Sequence, residues 1–304
     1  MAIAHSHAAA AQGEGVLSLV GTPIGNLGDI SPRVKQTLSS ADVVLCEDTR
    51  VTGKLMSHLG LHVPLERADD NVLASRIEPT LARIAAGQRV AFVSDAGMPG
   101  VSDPGVRLVD AALEQNLCVE VIPGPSAVTC ALVASGLPME HFFFEGFLPR
   151  KARAQHERLT ELSVVPGALV LYESPRRVVD TLTVIAQSFP RRLVALVREL
   201  TKLHEEVLRG PASELVDELV QREAAGNVLK GECVIVIAPP SADELRQIAL
   251  LLSQTQGQAV SFEEAAQAGL AAGEAKTVLA KRLAKQYGLP KSDAYSRILE
   301  LSDN

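Results

Sequence analysis

The chain has no tryptophan, and aromatic residues make up only 3% of its 304 positions. That scarcity excludes a broad base-stacking platform of the kind that holds single-stranded nucleic acid. Cysteine is sparse too: Cys46, Cys118, Cys130 and Cys233 lie far apart, without the paired spacing of a metal site or the density of a disulfide framework. The four are expected to be reduced and buried, which places the protein in the cytoplasm, and no metal is expected. No uninterrupted apolar run approaches the roughly 20 residues that span a bilayer. Residues 1–15 lack both the basic start and the apolar centre of a signal peptide and are expected to be disordered, with no membrane partner. Positive charge is in deficit as well. A formal net charge of −7 excludes a generally basic nucleic-acid coat, so any RNA contact must come from local patches. Such patches stand at Arg150, Lys151 and Arg153, at Arg176-Arg177 and Arg191-Arg192, and at Lys276, Lys281, Arg282, Lys285 and Lys291. Each also reads as a solvated helix face.

What is present is apolar material in quantity. Hydrophobic residues are 47% of the chain, enough for a core in each of about two domains. From Val16 to Ser135, apolar runs alternate with helical patterns. Val16 to Gly21, Asp42 to Cys46, Arg89 to Val93 and Cys118 to Ile122 read as buried strands. Ser31 to Ser40, Val51 to Leu59, Asn71 to Ala86, Pro104 to Gln115 and Ser126 to Ala134 read as helices. This βα alternation predicts an open, mostly parallel sheet over 16–137. Over 138–240 the rhythm changes. Strands at Phe142 to Phe147, Ala168 to Tyr172, Arg192 to Val197, Glu205 to Arg209 and Cys233 to Ala238 predict a mixed sheet, with the boundary at Gly136-Leu137-Pro138. Residues 241–304 read as a small helical domain. Its end, Ala275 to Tyr287, a glycine turn, then a serine-capped helix Ser292 to Leu301, fits either a helix-turn-helix for nucleic acid or a packing module.

The richest segment is the loop Ser94-Asp95-Ala96-Gly97-Met98-Pro99-Gly100-Val101-Ser102-Asp103-Pro104-Gly105, which follows one of these strands. Its glycines and prolines set unusual backbone angles and leave amides uncovered, and its acidic residues argue against phosphate. Loops at the carboxyl ends of strands line the crevice of an α/β sheet, so a small-molecule site is expected here. Two further loops join it. Gly21 to Asp29 closes the first strand without the G-x-G-x-x-G order of a dinucleotide fold or the Gly-Lys-Ser/Thr of a P-loop. Pro123-Gly124-Pro125-Ser126-Ala127 opens a helix whose free amides suit a carboxylate or hydroxyl. Polar sets of both signs punctuate other strand ends: Glu47-Asp48-Thr49-Arg50, Glu173-Ser174-Pro175-Arg176-Arg177, and Arg198 to Glu206. They suit acid, base or electrostatic roles, and equally an ion-pair network between domains.

Taken in order, Gly-Thr-Pro-Ile-Gly-Asn-Leu-Gly-Asp, Glu-Asp-Thr-Arg, the long glycine loop, Pro-Gly-Pro-Ser-Ala, Glu-Gly-Phe-Leu-Pro-Arg-Lys, Tyr-Glu-Ser-Pro-Arg-Arg and Glu-Leu-Thr-Lys-x-x-Glu-Glu resemble the tetrapyrrole methylase superfamily. Within it they resemble the ribosomal small-subunit RNA cytidine 2′-O-ribose methyltransferases. The likeness runs from Leu17 to Ile237, and the tail from Ser261 is similar to that family's helical C-terminal domain. It implies two α/β domains with S-adenosylmethionine between them, a homodimer, and 16S rRNA of the small subunit as partner. Carried over by position, the cofactor contacts are Pro23 and Ile24; Ser94, Asp95, Ala96, Gly97, Pro99 and Val101; Ser126 and Ala127; and Tyr172, Leu200 and Cys233, the last standing where other members often carry an aromatic residue. Asp48, Arg50 and Lys202 are the catalytic candidates, with Asp29 and Glu199 behind them, and Arg150, Lys151, Arg153, Arg176 and Arg177 are expected to hold RNA phosphate.

Overall fold

A computed structural model describes residues 14–101, 105–257 and 261–302. The expected disorder of 1–15 lies outside the described residues as far as residue 13, and so do Ser102, Asp103 and Pro104 of the long loop. Contacts group the chain into one compact unit over Met1–Pro240 and a second over Ser241–Asn304.

The first sheet of the larger unit is wholly parallel. Its strands are β1 (Val16–Val20), β2 (Val43–Cys46), β3 (Leu65–Arg67), β4 (Arg89–Val93) and β5 (Cys118–Ile122), in the order β3-β2-β4-β1-β5. β1 and β2 are buried at every position, as strands must be when crossover helices cover both faces. Those helices are α1 (Pro32–Ser39), α2 (Thr49–Leu59), α3 (Leu73–Ala85) and α4 (Gly105–Glu114). Ser31 caps α1 through the Val34 amide, with Pro32 inside the first turn. The periodicity does not announce β3. It has three residues, two of them charged, and it pairs only with β2 at the sheet edge, where no apolar alternation is required.

The second sheet is mixed. β6 (Phe142–Phe147) runs parallel to β7 (Ala168–Glu173), while β10 (Cys233–Ile237) lies antiparallel between β7 and β8 (Leu193–Arg198), and β9 (Glu206–Pro211) closes the far edge. Helices α6 (Ala152–Leu162), α7 (Val178–Ser188) and α8 (Ala212–Ala224) pack on one face around Leu159, Leu182, Ile185 and Leu215. The other face is covered by α5 (Ala127–Ser135), which sequence order attaches to the first sheet. Its Val128, Ala131 and Leu132 share a core with Val170, Ala195, Val197 and Val236 of the second sheet and with Ile24 of the first. The sequence of α5 is apolar nearly all round, and only Thr129 and Val133, four residues apart on one side, are exposed. Each valine, leucine and isoleucine among these contributes about 1.5–3 kcal/mol on burial, so this shared core holds the two sheets as one body.

Three expectations need correction. Cys46 and Cys233 are buried, but Cys118, on the edge strand β5, and Cys130 are only half-buried. Arg192 belongs to no surface patch: it is buried, stacked 4.2 Å over the Phe189 ring, and donates to the Ser163 carbonyl at 3.0 Å. In the smaller unit, the last helix begins a residue earlier than its supposed cap.

That unit comprises α9 (Ala242–Gly257), α10 (Phe262–Ala271), α11 (Lys276–Tyr287) and α12 (Lys291–Ser302). Phe262, Leu279, Leu283 and Ile298 make its core. Ser292 falls inside the first turn of α12 and its hydroxyl donates to Asp293 Oδ1 at 3.0 Å, so it caps nothing. A complete capping box instead opens α10, between Ser261 and Glu264. Gly288, at φ 64°, turns the chain from α11 into α12, and Lys281, Lys285 and Lys291 are exposed.

Candidate functional site

The carboxyl ends of β1, β4 and β5 face the second sheet. Because β10 is antiparallel to both neighbours, Cys233 pairs with Glu173 on one side and Arg198 on the other. The start of β10 therefore meets the ends of β7 and β8, and both sheets converge on one cleft.

The walls of that cleft depend on close backbone approach. A Cβ on Gly21 would lie 2.6 Å from the Gly124 nitrogen, and one on Gly124 would lie 2.7 Å from the Gly21 carbonyl carbon. Thr22 and Gly97 exchange backbone hydrogen bonds of 2.8 and 3.2 Å, pinning the long loop to the end of β1, with Gly97 at φ 84°. The Gly124 amide donates to Met98 Sδ at 3.2 Å. Ser126 stands at the N-cap of α5, yet its hydroxyl makes no capping bond.

Two adjoining cavities result. The larger, of about 340 Å³, is lined from the first sheet by Ile24, Ala96, Gly97, Met98, Val101, Ser126 and Ala127. From the second sheet come Phe147, Tyr172, Glu173, Ser174, Pro175, Val197, Leu200, Gly231, Glu232, Cys233 and Val234. The scarce aromatics gather here, with Phe144 and Phe147 edge-on to Tyr172 at 4.9 and 5.8 Å. Burial pushes the Cys233 thiol up to about 12, so it serves as an apolar wall. The second cavity, of about 290 Å³, is lined by Thr22, Pro23, Gly25, Leu27 and the α2 residues Val51, Thr52, Lys54 and Leu55, with Ser94, Asp95 and Lys202. Ile24, Ala96 and Glu232 line both.

Of the expected cofactor contacts, Ile24, Ala96, Gly97, Val101, Ser126, Ala127, Tyr172, Leu200 and Cys233 thus line the larger cavity. Pro23, Ser94 and Asp95 line the second, and Pro99 lines neither. Met98 belongs to the long loop expected at the site and Pro175 to a polar set expected at a strand end, whereas Phe147 and the run Gly231-Glu232 were not foreseen. Lys-Gly-Glu before an apolar run is their sequence signal, but it precedes a strand, whereas crevice residues are sought after strands.

The catalytic candidates separate. Lys202 Nζ sits on the second cavity and donates to Glu199 Oε1 at 2.8 Å and Glu232 Oε2 at 3.0 Å. Burial opposes its charge, but these two hydrogen bonds prevail and raise its pKa further. Its hydrogen bond to Lys202 holds Glu199 low against the burial that opposes it. Asp48 and Arg50 line neither cavity. They bind each other, Arg50 donating to both Asp48 oxygens, and this hold keeps the Asp48 carboxyl far below the usual carboxylate range. Asp48 also caps α2, and its amide donates to Asp95 Oδ1 at 3.1 Å; burial raises Asp95. Asp29, in a short 3-10 turn, is exposed and outside both cavities.

The basic candidates divide likewise. Arg150, Lys151 and Arg176 are exposed, and Arg153 is exposed but paired with Glu157 at 2.9 Å. Arg177 is committed inside the fold: it donates to the Leu148 and Pro149 carbonyls at 3.0 and 3.2 Å and pairs at 3.2 Å with Glu173, whose side chain is 1% exposed.

A family model described as Tetrapyrrole (Corrin/Porphyrin) Methylases matches residues 16–216. A ribosomal RNA small subunit methyltransferase I from Synechocystis sp. is 37% identical over 289 residues, covering 94% of this chain and 98% of its own length. Its counterpart from Mesorhizobium japonicum is 41% identical over 293 residues, covering 95% and 93%. Among solved structures, a cobalt precorrin-4 methyltransferase superposes with a TM-score of 0.56 at 18% identity, over 73% of this chain and 94% of its own, a likeness of fold.

Proposed function

Because the chain belongs to the tetrapyrrole methylase family, whose enzymes take their methyl group from S-adenosylmethionine, we propose that it methylates the 2′-hydroxyl of a cytidine in 16S rRNA of the small ribosomal subunit. The observation that carries the reading is the pair of adjoining cavities. The larger suits the donor in volume and lining: an apolar slot between Ile24, Leu200 and Val234, glycine backbones that a Cβ would obstruct, and an uncommitted hydroxyl at a helix start. Ser126 and the first amides of α5 would hold its carboxylate, and Tyr172 and Leu200 would pack on its adenosine. When bound, the donor supplies a sulfonium methyl that an oxygen nucleophile attacks in line.

The protein's own contribution is orientation and charge. The second cavity opens beside the first across the shared wall of Ile24, Ala96 and Glu232, which suits a nucleotide presented to the donor. Lys202 stays protonated there and stabilises charge developing on the attacking oxygen. Asp48, with both carboxylate oxygens held by Arg50 and outside both cavities, acts instead by capping α2 and steadying Asp95. Exposed Arg150, Lys151 and Arg176 would meet phosphate, which the relatives' RNA-directed names support. A cytoplasmic homodimer belongs to the same reading, and no described helix is long and apolar enough to cross a membrane.

The test is transfer of radiolabelled methyl to small subunits lacking their ribose methylations, with naked RNA and a porphyrinoid in parallel. Label in 2′-O-methylcytidine supports the reading; label in the porphyrinoid alone defeats it. Sedimentation at micromolar concentration checks the dimer.

A further inference from the structure

Taking a proton from a hydroxyl requires a base at the boundary between the nucleophile and the methyl donor. Among the described residues, Glu232 is the one titratable group that lines both cavities. We propose that Glu232 is the catalytic base of the methyl transfer, a role that rests on the RNA-methylating reading above.

Its position is built by its neighbours. The Glu232 amide donates to Glu199 Oε1 at 3.0 Å, the same oxygen that accepts from Lys202. Gly231 at φ 92° permits this approach, since a Cβ there would lie 2.3 Å from the Glu199 carboxyl carbon. Glu199 and Thr201 hold positive φ of 52° and 65°, and the Thr201 hydroxyl accepts the Asn26 amide at 3.1 Å, so the loop carrying Lys202 is tied to the first sheet. Of the Glu232 carboxylate, Oε2 accepts from Lys202, while Oε1 meets no donor among the described residues. Lys202, with three ammonium protons and two carboxylate partners, has one left to donate. A ribose hydroxyl entering the second cavity would donate to Glu232 Oε1 and accept from Lys202.

The step balances. The ribose oxygen forms a bond to the methyl carbon as the sulfur–carbon bond breaks, and that bond's electron pair stays on sulfur and discharges the sulfonium. The hydroxyl proton passes to Glu232 and then to solvent, which the carboxylate reaches because its side chain is 73% exposed. The competing carboxylates are placed less well. Asp48 and Glu199 line neither cavity, Glu173 is buried beneath Thr181 and Arg177, and Asp95 lines only the second cavity. The charged and titratable groups facing Glu232 are Lys202, Glu199 and Cys233 nearby, Asp95 and Lys54 across the second cavity, and Tyr172 and Glu173 across the larger one.

Glu232→Gln keeps the shape and the backbone bond to Glu199. In the subunit assay it is expected to lower kcat by about 100-fold or more, within the range for loss of a general base, while S-adenosylmethionine affinity by calorimetry and the melting temperature stay unchanged. The wild-type pH–rate profile should fall on the acid side, and E232Q should lack that limb. Retention of wild-type kcat within about threefold by E232Q, or an acid limb that survives E232Q and disappears in Asp95→Asn, overturns the assignment. Wild-type enzyme that labels neither subunits nor naked RNA overturns the underlying substrate reading and the assignment with it.

Discussion

The two sheets of the larger unit meet at one cleft but equip it differently. At the larger cavity the parallel half offers mainly backbone and short side chains, the ends of β1, β4 and β5 bringing Gly21, Gly97 and Gly124 together, while its Leu27, Val51, Lys54 and Leu55 line the second. The mixed sheet offers side chains: Tyr172, Glu173, Leu200, Lys202 and Glu232. The difference follows from strand direction. In a parallel sheet only carboxyl ends reach the crevice, and their tight turns into helices favour glycine and proline. Inserting β10 antiparallel adds an amino end to the same rim, so segments from opposite chain directions place opposite charges side by side.

Substitutions that break this division follow in order of expected effect. Gly124→Ala forces a Cβ into the Gly21 backbone, where no side chain can yield, and should cost about 3 kcal/mol by urea denaturation and abolish cofactor binding. Arg177→Ala leaves the buried Glu173 without its cation and should cost about 2 kcal/mol, whereas Arg176→Ala should leave stability unchanged and lower the salt dependence of RNA binding by about one unit of slope. Equal effects from the two arginines, in denaturation and in RNA titrations across salt, would dissolve the distinction drawn between them.

Smaller effects concern the charge cluster. Glu199 has a depressed pKa in the folded protein, so it adds stability above its ordinary value of 4.5, and that contribution is lost as pH falls through the folded value. Stability should therefore drop on acidification, and Lys202→Met should flatten the drop while reducing methyl transfer; a pH series of urea melts with both proteins measures it. Smallest, Arg153→Ala removes an exposed pair with Glu157 and should change stability by less than about 0.5 kcal/mol in the same melts.

Legibility in the sequence followed the same division. The parallel half could be read because its strands are continuous apolar runs and its loops carry their own punctuation. Nine positions carried over from the family likeness, Ile24 and Tyr172 among them, line the larger cavity. The polar half resisted. Asp48, Arg50 and Lys202 are all charged residues just beyond strand ends, and nothing local tells that Asp48 and Arg50 stay outside the cavities while Lys202 reaches one. Arg176 and Arg177 are adjacent, yet one is exposed and the other holds the Leu148 and Pro149 carbonyls.

The sequence by itself determined the strands other than β3, the helices α1 to α5, the change of rhythm between the two sheets and the three glycine-bearing loops, because these depend on apolar period and on backbone freedom within a few residues. Only the tertiary structure decided that α5 serves the core of the second sheet, that β10 enters against its neighbours, and that Glu232 stands between two cavities beside Lys202. Those outcomes depend on which distant segments share a surface, and a side chain's charge partner is chosen by that meeting rather than by its neighbours along the chain.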